Sequence, residues 1–288
     1  MDTEETSALR ITVYQDESGD FGHGAWVFVG LLWVQRDRIA TLTEALREAR
    51  NGFAGEVHFY RFARNFQGEY GAGARTGRAW LERWLSDWRH ETWLTALAVN
   101  RRHPLYPAAR FHSSEDAYNH FAAEALARGL TWHFAGAQGV TLDVCSDARS
   151  LPTSDRGGSP GVPSRFAEAL RARLANREME TPTLPAALWD NPPVRFAGER
   201  VADRPFSADE EVLQLTDVLL GAVATAISPL SRAATKLHLA REMARLMDDL
   251  RRPPREGPAA SRRRVRILYY PDADGRYTTS GPVGLWDI

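Results

Sequence analysis

Cysteine is almost missing from this chain of 288 residues: Cys145 is the single one, which excludes an internal disulfide and a thiolate-rich zinc site. Lysine is equally scarce, with Lys236 standing alone against 35 arginines. Long apolar runs are missing too. The longest, Ala25–Val34 and Val218–Ile227, each reach ten residues, about half a membrane span, and predict no membrane association. Residues 1–9 are acidic and polar rather than basic and then apolar, which predicts no secretory leader and a cytoplasmic location. What remains is an ordinary globular make-up, 43% hydrophobic and 25% charged, which sets aside collagen-like and wholly disordered classes.

Strand-forming residues open the chain. LRITVYQ at 9–15 and AWVFVGLLWV at 25–34 are β-branched and aromatic, and the intervening DESGDFGHG is turn chemistry, so a hairpin with an acidic loop is expected. Apolar spacing predicts a helix over 37–50, capped by Asp37 and stopped at Asn51-Gly52, and residues 56–62 (EVHFYRF) alternate like an edge strand. Helices then alternate with strands: a helix at 77–89 and a strand at 92–99, a helix at 114–128 and a strand at 139–145, a helix at 164–177 and a strand at 193–198. Two more helices, 208–227 and 231–250, meet at Ser228-Pro229 and lead to a last strand at 265–270. This order predicts an α/β fold, a mixed sheet that begins with an antiparallel hairpin, adds parallel strands and carries helices on both faces. Residues 1–250 are expected to form one domain, with 251–288 as a basic linker and a C-terminal strand packed on it. Trp80, Trp84 and Trp88 recur at four-residue spacing and read as a core stripe.

The formal charge of −1 hides a local excess, because residues 251–266 hold seven Arg and one acid, Glu256. GC-rich coding explains a general preference of Arg over Lys, and Pro253, Pro254 and Gly257 suit a solvated linker. The functional alternative is an arm on a nucleic-acid backbone, where the guanidinium fork grips phosphate; Arg262, Arg263 and Arg264 would then be the contacts.

Three acids stand where packed elements favour apolar residues. Asp16, followed by Glu17, ends the first strand, the end at which α/β sheets place ligands. Asp143 lies inside the strand GVTLDVC, where helices on both faces would leave its carboxylate in need of a partner or a cation, unless it caps a neighbouring helix. Asp217 shares a polar, small face with Gln214 and Gly221 on an otherwise apolar helix. Ser207 and Glu210 have capping-box spacing at that helix's start, so Asp209, Glu210 and Glu211 need no catalytic explanation. Carboxylates from two strands and a helix suggest a site for Mg²⁺ or Mn²⁺, hard cations that take oxygen ligands and in pairs clamp a phosphoryl displacement.

ITVYQDESGDFG near the start and SADEEVLQLTDVLLGA late resemble the bacterial domain-of-unknown-function family numbered 3800, with an early strand ending in Asp-Glu-Ser-Gly and a late helix reading Leu-Gln-x-Ala-Asp-x-x-x-Gly. The likeness spans about residues 10–227 and departs at Thr216, where Ala is usual. It implies a ribonuclease H-like fold. Glu56 and His58 are the best match to the family's middle acidic or His-containing element, and Asp143 to its strand carboxylate.

The expected function is a metal-dependent nuclease or related phosphodiester hydrolase. Asp16, Asp143 and Asp217 would ligate the cation, Glu17 or Glu56 would supply a fourth carboxylate, and Gln214 would orient Asp217 or a metal-bound water, with His58 in support. Its partner would be nucleic acid, whether RNA, DNA or a hybrid. The rival is a non-catalytic member that binds nucleic acid or a partner protein in a mobile-element or phage-defence system. Other motifs fail: GEYGAGARTG lacks the Lys-Ser/Thr of a phosphate loop, Ser18 sits in no nucleophile elbow, and Asp272–Gly275 reads as a plain turn.

Overall fold

A computed structural model of the chain describes residues 9–19, 21, 24–135, 137, 139–147, 168, 170–172, 175, 187–197, 204–229, 231–252 and 264–282, with the backbone alone at 147 and 187–197. The hairpin forms as its residues predict. β1 (Leu9–Ser18) runs antiparallel to β2 (Trp26–Gln35), with Asp16 opposite Gly30. Gly19 begins the turn at φ +93°, where an added Cβ would lie 2.6 Å from the Trp26 carbonyl oxygen. Only glycine fits there.

β3 (Trp93–Asn100) pairs antiparallel with β2, β4 (Val140–Asp147) parallel with β1, β5 (Ala187–Ala197) parallel with β4, and β6 (Val265–Tyr270) parallel with β3. The six-stranded order is β5-β4-β1-β2-β3-β6, and β2 alone runs against the rest. This is the mixed α/β sheet that the sequence predicts, opened by an antiparallel hairpin and extended by β6 outside β3. Central strands such as β2, WVFVGLLWVQ with all but its ends buried, need cover on both sides.

Alternation sends Tyr14 of β1 to one face and Ile11 and Val13 to the other. The Tyr14 face is covered by α1 (Ile39–Ala49), α2 (Ala72–Arg83), α4 (Ala208–Ile227) and α5 (Ala234–Arg251), and the opposite face by α3 (Ser114–His133). Helix α4 lies innermost and is buried nearly all round; Ser207 and Glu210 close the expected capping box. Trp80 and Trp84 form the core stripe and keep their indole N–H groups satisfied on Leu46 O (2.8 Å) and Thr92 Oγ1 (3.0 Å).

Several local expectations are corrected. A 3₁₀ turn, Arg36–Arg38, precedes α1, so Asp37 is not its N-cap, whereas the stop holds, with Asn51 at φ +47°. The helix expected over 77–89 starts at Ala72 and passes into a π-helical turn, Trp84–Trp88. Residues 56–62 form no strand. The Val57 and Phe59 N–H groups go to side chains of α4, and Phe59–Arg61 is a 3₁₀ turn. The strand expected at 193–198 begins at Ala187, and most of the helix expected at 164–177 lies outside the described residues. Residues 272–275 are the plain turn expected, with Asp272 Oδ1 accepting from the N–H groups of Asp274 and Arg276.

Candidate functional site

Asp16 sits at the C-terminal end of β1, on the face that α4 covers. Its register partner Gly30 makes the close approach possible, since an added Cβ would lie 3.0–3.1 Å from the Leu220 side chain. Asp217 comes three residues before Leu220, about 4.5 Å of helical rise. Helix α4 thus crosses the sheet at the level of Asp16, one helical turn from Asp217. Asp16 Oδ1 accepts the Glu17 N–H at 2.9 Å.

The polar face of α4 does a job that spacing alone did not reveal. Gln214 Oε1 accepts the Val57 N–H at 2.7 Å and Arg50 Nη2 at 3.0 Å, and Asp217 Oδ2 accepts the Phe59 N–H at 2.6 Å. Both side chains take the place of strand partners for the N–H groups of Val57 and Phe59, and Gln214 holds this segment on α4. Asp217 Oδ2 also lies 2.8 Å from His58 Nδ1. A carboxylate only accepts, so this contact puts the ring proton on Nδ1 and turns Nε2 of the neutral ring into the acceptor. Gly221 lets the Phe59 ring pack against the helix, where an added Cβ would come within 2.3 Å of it.

Two cations border this region. Lys236 of α5 donates to Tyr60 O at 2.9 Å and lies over the Phe59 and Tyr60 rings. Burial pulls its ammonium below the ordinary lysine range, against the attraction of Asp217. Glu56 is held by Arg61 at 3.0 Å. Behind the clamp, Arg50 grips Glu211 at 2.8 Å between the rings of Trp80 and Phe206. That buried pair fixes the end of α1 on α4 and is structural.

The other candidates lie elsewhere. Glu17 leaves the opposite face of β1 and borders Tyr118 of α3, whose hydroxyl pKa is raised well above its ordinary value by burial first and then by the charges of Glu17 and Asp16. Asp143 pairs with Thr12, not with Asp16, about 13 Å short of the strand end. There Oδ1 accepts Thr12 Oγ1 and Arg36 Nη2, each at 2.8 Å. Arg264 stacks on the Trp93 ring at 4.0 Å, while Arg262 and Arg263 lie outside the described residues.

Two residues escaped sequence reasoning. Ser146 is the partner of Gln15, so the next step along β4 brings Asp147 beside Asp16 in the backbone register. Counting the parallel register to the strand end, instead of taking the first acid in GVTLDVC, finds it. Lys236 had a signal as well, as the single lysine of an arginine-rich chain. Among the described residues, no three His, Cys, Asp or Glu side chains gather as a metal-ligating group.

No family model and no curated protein matches this sequence. Among solved structures the chain is similar to one in the structure of the PCNA:RNase HII complex from Archaeoglobus fulgidus, at 12% identity over 88% of this chain and 84% of that one, with a TM-score of 0.34. At that level the fold assignment stands on the strand order and register of this chain. No described helix is long and apolar enough to cross a membrane.

Proposed function

We propose that this protein is a divalent-metal-dependent phosphodiester hydrolase acting on nucleic acid. One observation carries the reading: α4 crosses β2 at Gly30, the register partner of Asp16, one helical turn from Asp217. The donors are of the right class, since carboxylate oxygens suit the hard cations Mg²⁺ and Mn²⁺. Asp16 and Asp217 would hold the cation at the strand end, apart from Asp143, whose carboxylate already accepts from Arg36 and Thr12. The bound cation would act as a Lewis acid toward a phosphoryl oxygen and lower the pKa of a water. His58, oriented by Asp217, would receive or return a proton at Nε2, and Lys236 would supply positive charge beside the same carboxylate. The resemblance to the family numbered 3800 supports the same two end motifs.

A second reading, a non-catalytic nucleic-acid or protein binder of a mobile-element or defence system, is favoured by the engagement of Asp217 Oδ2 with His58 and Phe59. Calorimetric titration with Mn²⁺ and cleavage assays on RNA, DNA and hybrid oligonucleotides separate the two. The hydrolase reading expects Mn²⁺ binding and cleavage, each reduced at least about 100-fold by Asp16→Asn and by Asp217→Asn. Wild-type behaviour in both variants would remove the assignment, and absence of cleavage on every substrate would favour the binder.

A further inference from the structure

The outer edge of β6 carries a cleft that the proposed chemistry does not use. Trp132 and Arg266 line one side of it, Arg251 of α5 the other, and Ile267, Thr279 and Ser280 close it, around a volume of about 390 Å³. Neither Asp16, Asp143 nor Asp217 lines it. A volume of this size suits a nucleotide-sized group.

Its charge is unbalanced. The Arg266 guanidinium lies 3.5 Å from the Trp132 ring centre, and burial, followed by the like charge of Arg128, pushes its pKa down to about 10. Arg128 has Glu124 at 3.0 Å, whereas Arg266 has no ion pair among the described residues. Arg266 Nη1 is buried with no hydrogen-bond partner there. A half-buried cation beside another cation, with one N–H unmet, is costly until an anion arrives. Arg251 already turns Nη2 to Tyr269 Oη, 3.2 Å away, and so brings a second guanidinium to the wall.

The backbone adds a donor. Tyr269 exchanges both hydrogen bonds with Thr278 on the outer side of β6, so by alternation Ile267 directs its N–H outward as well. Trp132 is 41% exposed, unusual for so large a ring, and an exposed indole is a stacking surface for a base. Planar, forked guanidinium, outward N–H, exposed hydroxyls and an aromatic ring together select a phosphate joined to a base.

We infer that the β6 edge cleft binds single-stranded nucleic acid, with Arg266 gripping a backbone phosphate and Trp132 stacking a base. Binding there needs no divalent cation, so it is measured in EDTA and stands or falls apart from the hydrolase reading. The experiment is fluorescence anisotropy of a labelled oligothymidylate with the full chain, comparing wild type with Arg266→Met, Trp132→Leu and Thr279→Glu. The last is an exposed position whose new charge opposes phosphate without disturbing the fold. Affinity is expected to fall at least tenfold in each, and the salt dependence in Arg266→Met to become shallower by about 0.7 log units for each phosphate that is no longer neutralised. Arg245→Ala, which removes an exposed arginine of α5 paired with Glu242, is expected to bind as wild type does. Wild-type affinity in Arg266→Met and Thr279→Glu would overturn the inference and leave these arginines as guards of a sheet edge. Stabilisation by inorganic phosphate alone, with no oligonucleotide binding, would equally overturn it in favour of a small-anion site.

Discussion

At the scale of single residues, what decides a carboxylate's role is what reaches it. Asp143 and Asp16 look alike in sequence, each an acid in or at the end of a strand. Asp143 is 5% exposed and accepts two bonds from Arg36 and one from Thr12. Its charge is already balanced. Arg36→Ala leaves that buried carboxylate without its cation, and because Arg36 is itself partly exposed the loss is expected to be about 1–3 kcal/mol, read from urea unfolding. Asp143→Asn, in turn, is expected to leave Mn²⁺ affinity unchanged. Loss of Mn²⁺ binding in that variant, with the fold intact by circular dichroism, would restore Asp143 as a ligand.

At the scale of elements, α4 and the segment before α2 are made for each other. Gln214 and Asp217 satisfy the backbone at Val57 and Phe59, and Gly221 receives the Phe59 ring. A glycine in mid-helix costs about 1 kcal/mol relative to alanine, so Gly221→Ala would normally stabilise. Here the added methyl meets the body of the ring rather than the end of a flexible chain. Gly221→Ala is therefore expected to lower stability by a net 1–2 kcal/mol or so, the overpacking cost exceeding the propensity gain. A rise in the urea midpoint would show that the segment is held loosely and that the clamp is not what positions His58.

At the scale of the whole molecule, β1 lies between two helical layers, and the layers differ in chemistry. On the α3 side Tyr118 Oη accepts Gln15 Nε2 at 2.7 Å, and burial with Glu17 nearby favours the neutral hydroxyl. The folded state therefore holds that proton above the pH at which the unfolded chain releases it, about 10. Stability from this source is complete below pH 10 and is lost as the pH rises beyond it, because the unfolded state then binds fewer protons. Urea unfolding across pH 9 to about 11 is expected to show a fall that is shallower in Tyr118→Phe. An equal slope in both proteins would assign the alkaline fall to other groups, such as Tyr269 and Tyr270, whose pKa values burial also raises.

Periodicity carried most of the architecture. The hairpin, the 208–227 helix with its capping box, and the last strand are local events, governed by side-chain alternation, turn glycine and cap chemistry within a few residues. Asp16 and Asp217 were legible for the same reason, as acids in apolar elements. What only the tertiary structure decided is partnership. Residues 56–62 alternate like a strand, yet none of the described strands pairs with them, and α4 side chains take the N–H groups of Val57 and Phe59 instead. Glu17 is next to Asp16 in sequence and on the other face in space, because successive strand residues point opposite ways and two different layers cover them. The register of β4 against β1 moves the strand-end position from Asp143 to Asp147, a shift that depends on a pairing across more than a hundred residues. Hydrophobic pattern specifies which face is buried; which polar groups meet across the buried layers is set by the packing of elements far apart in the chain.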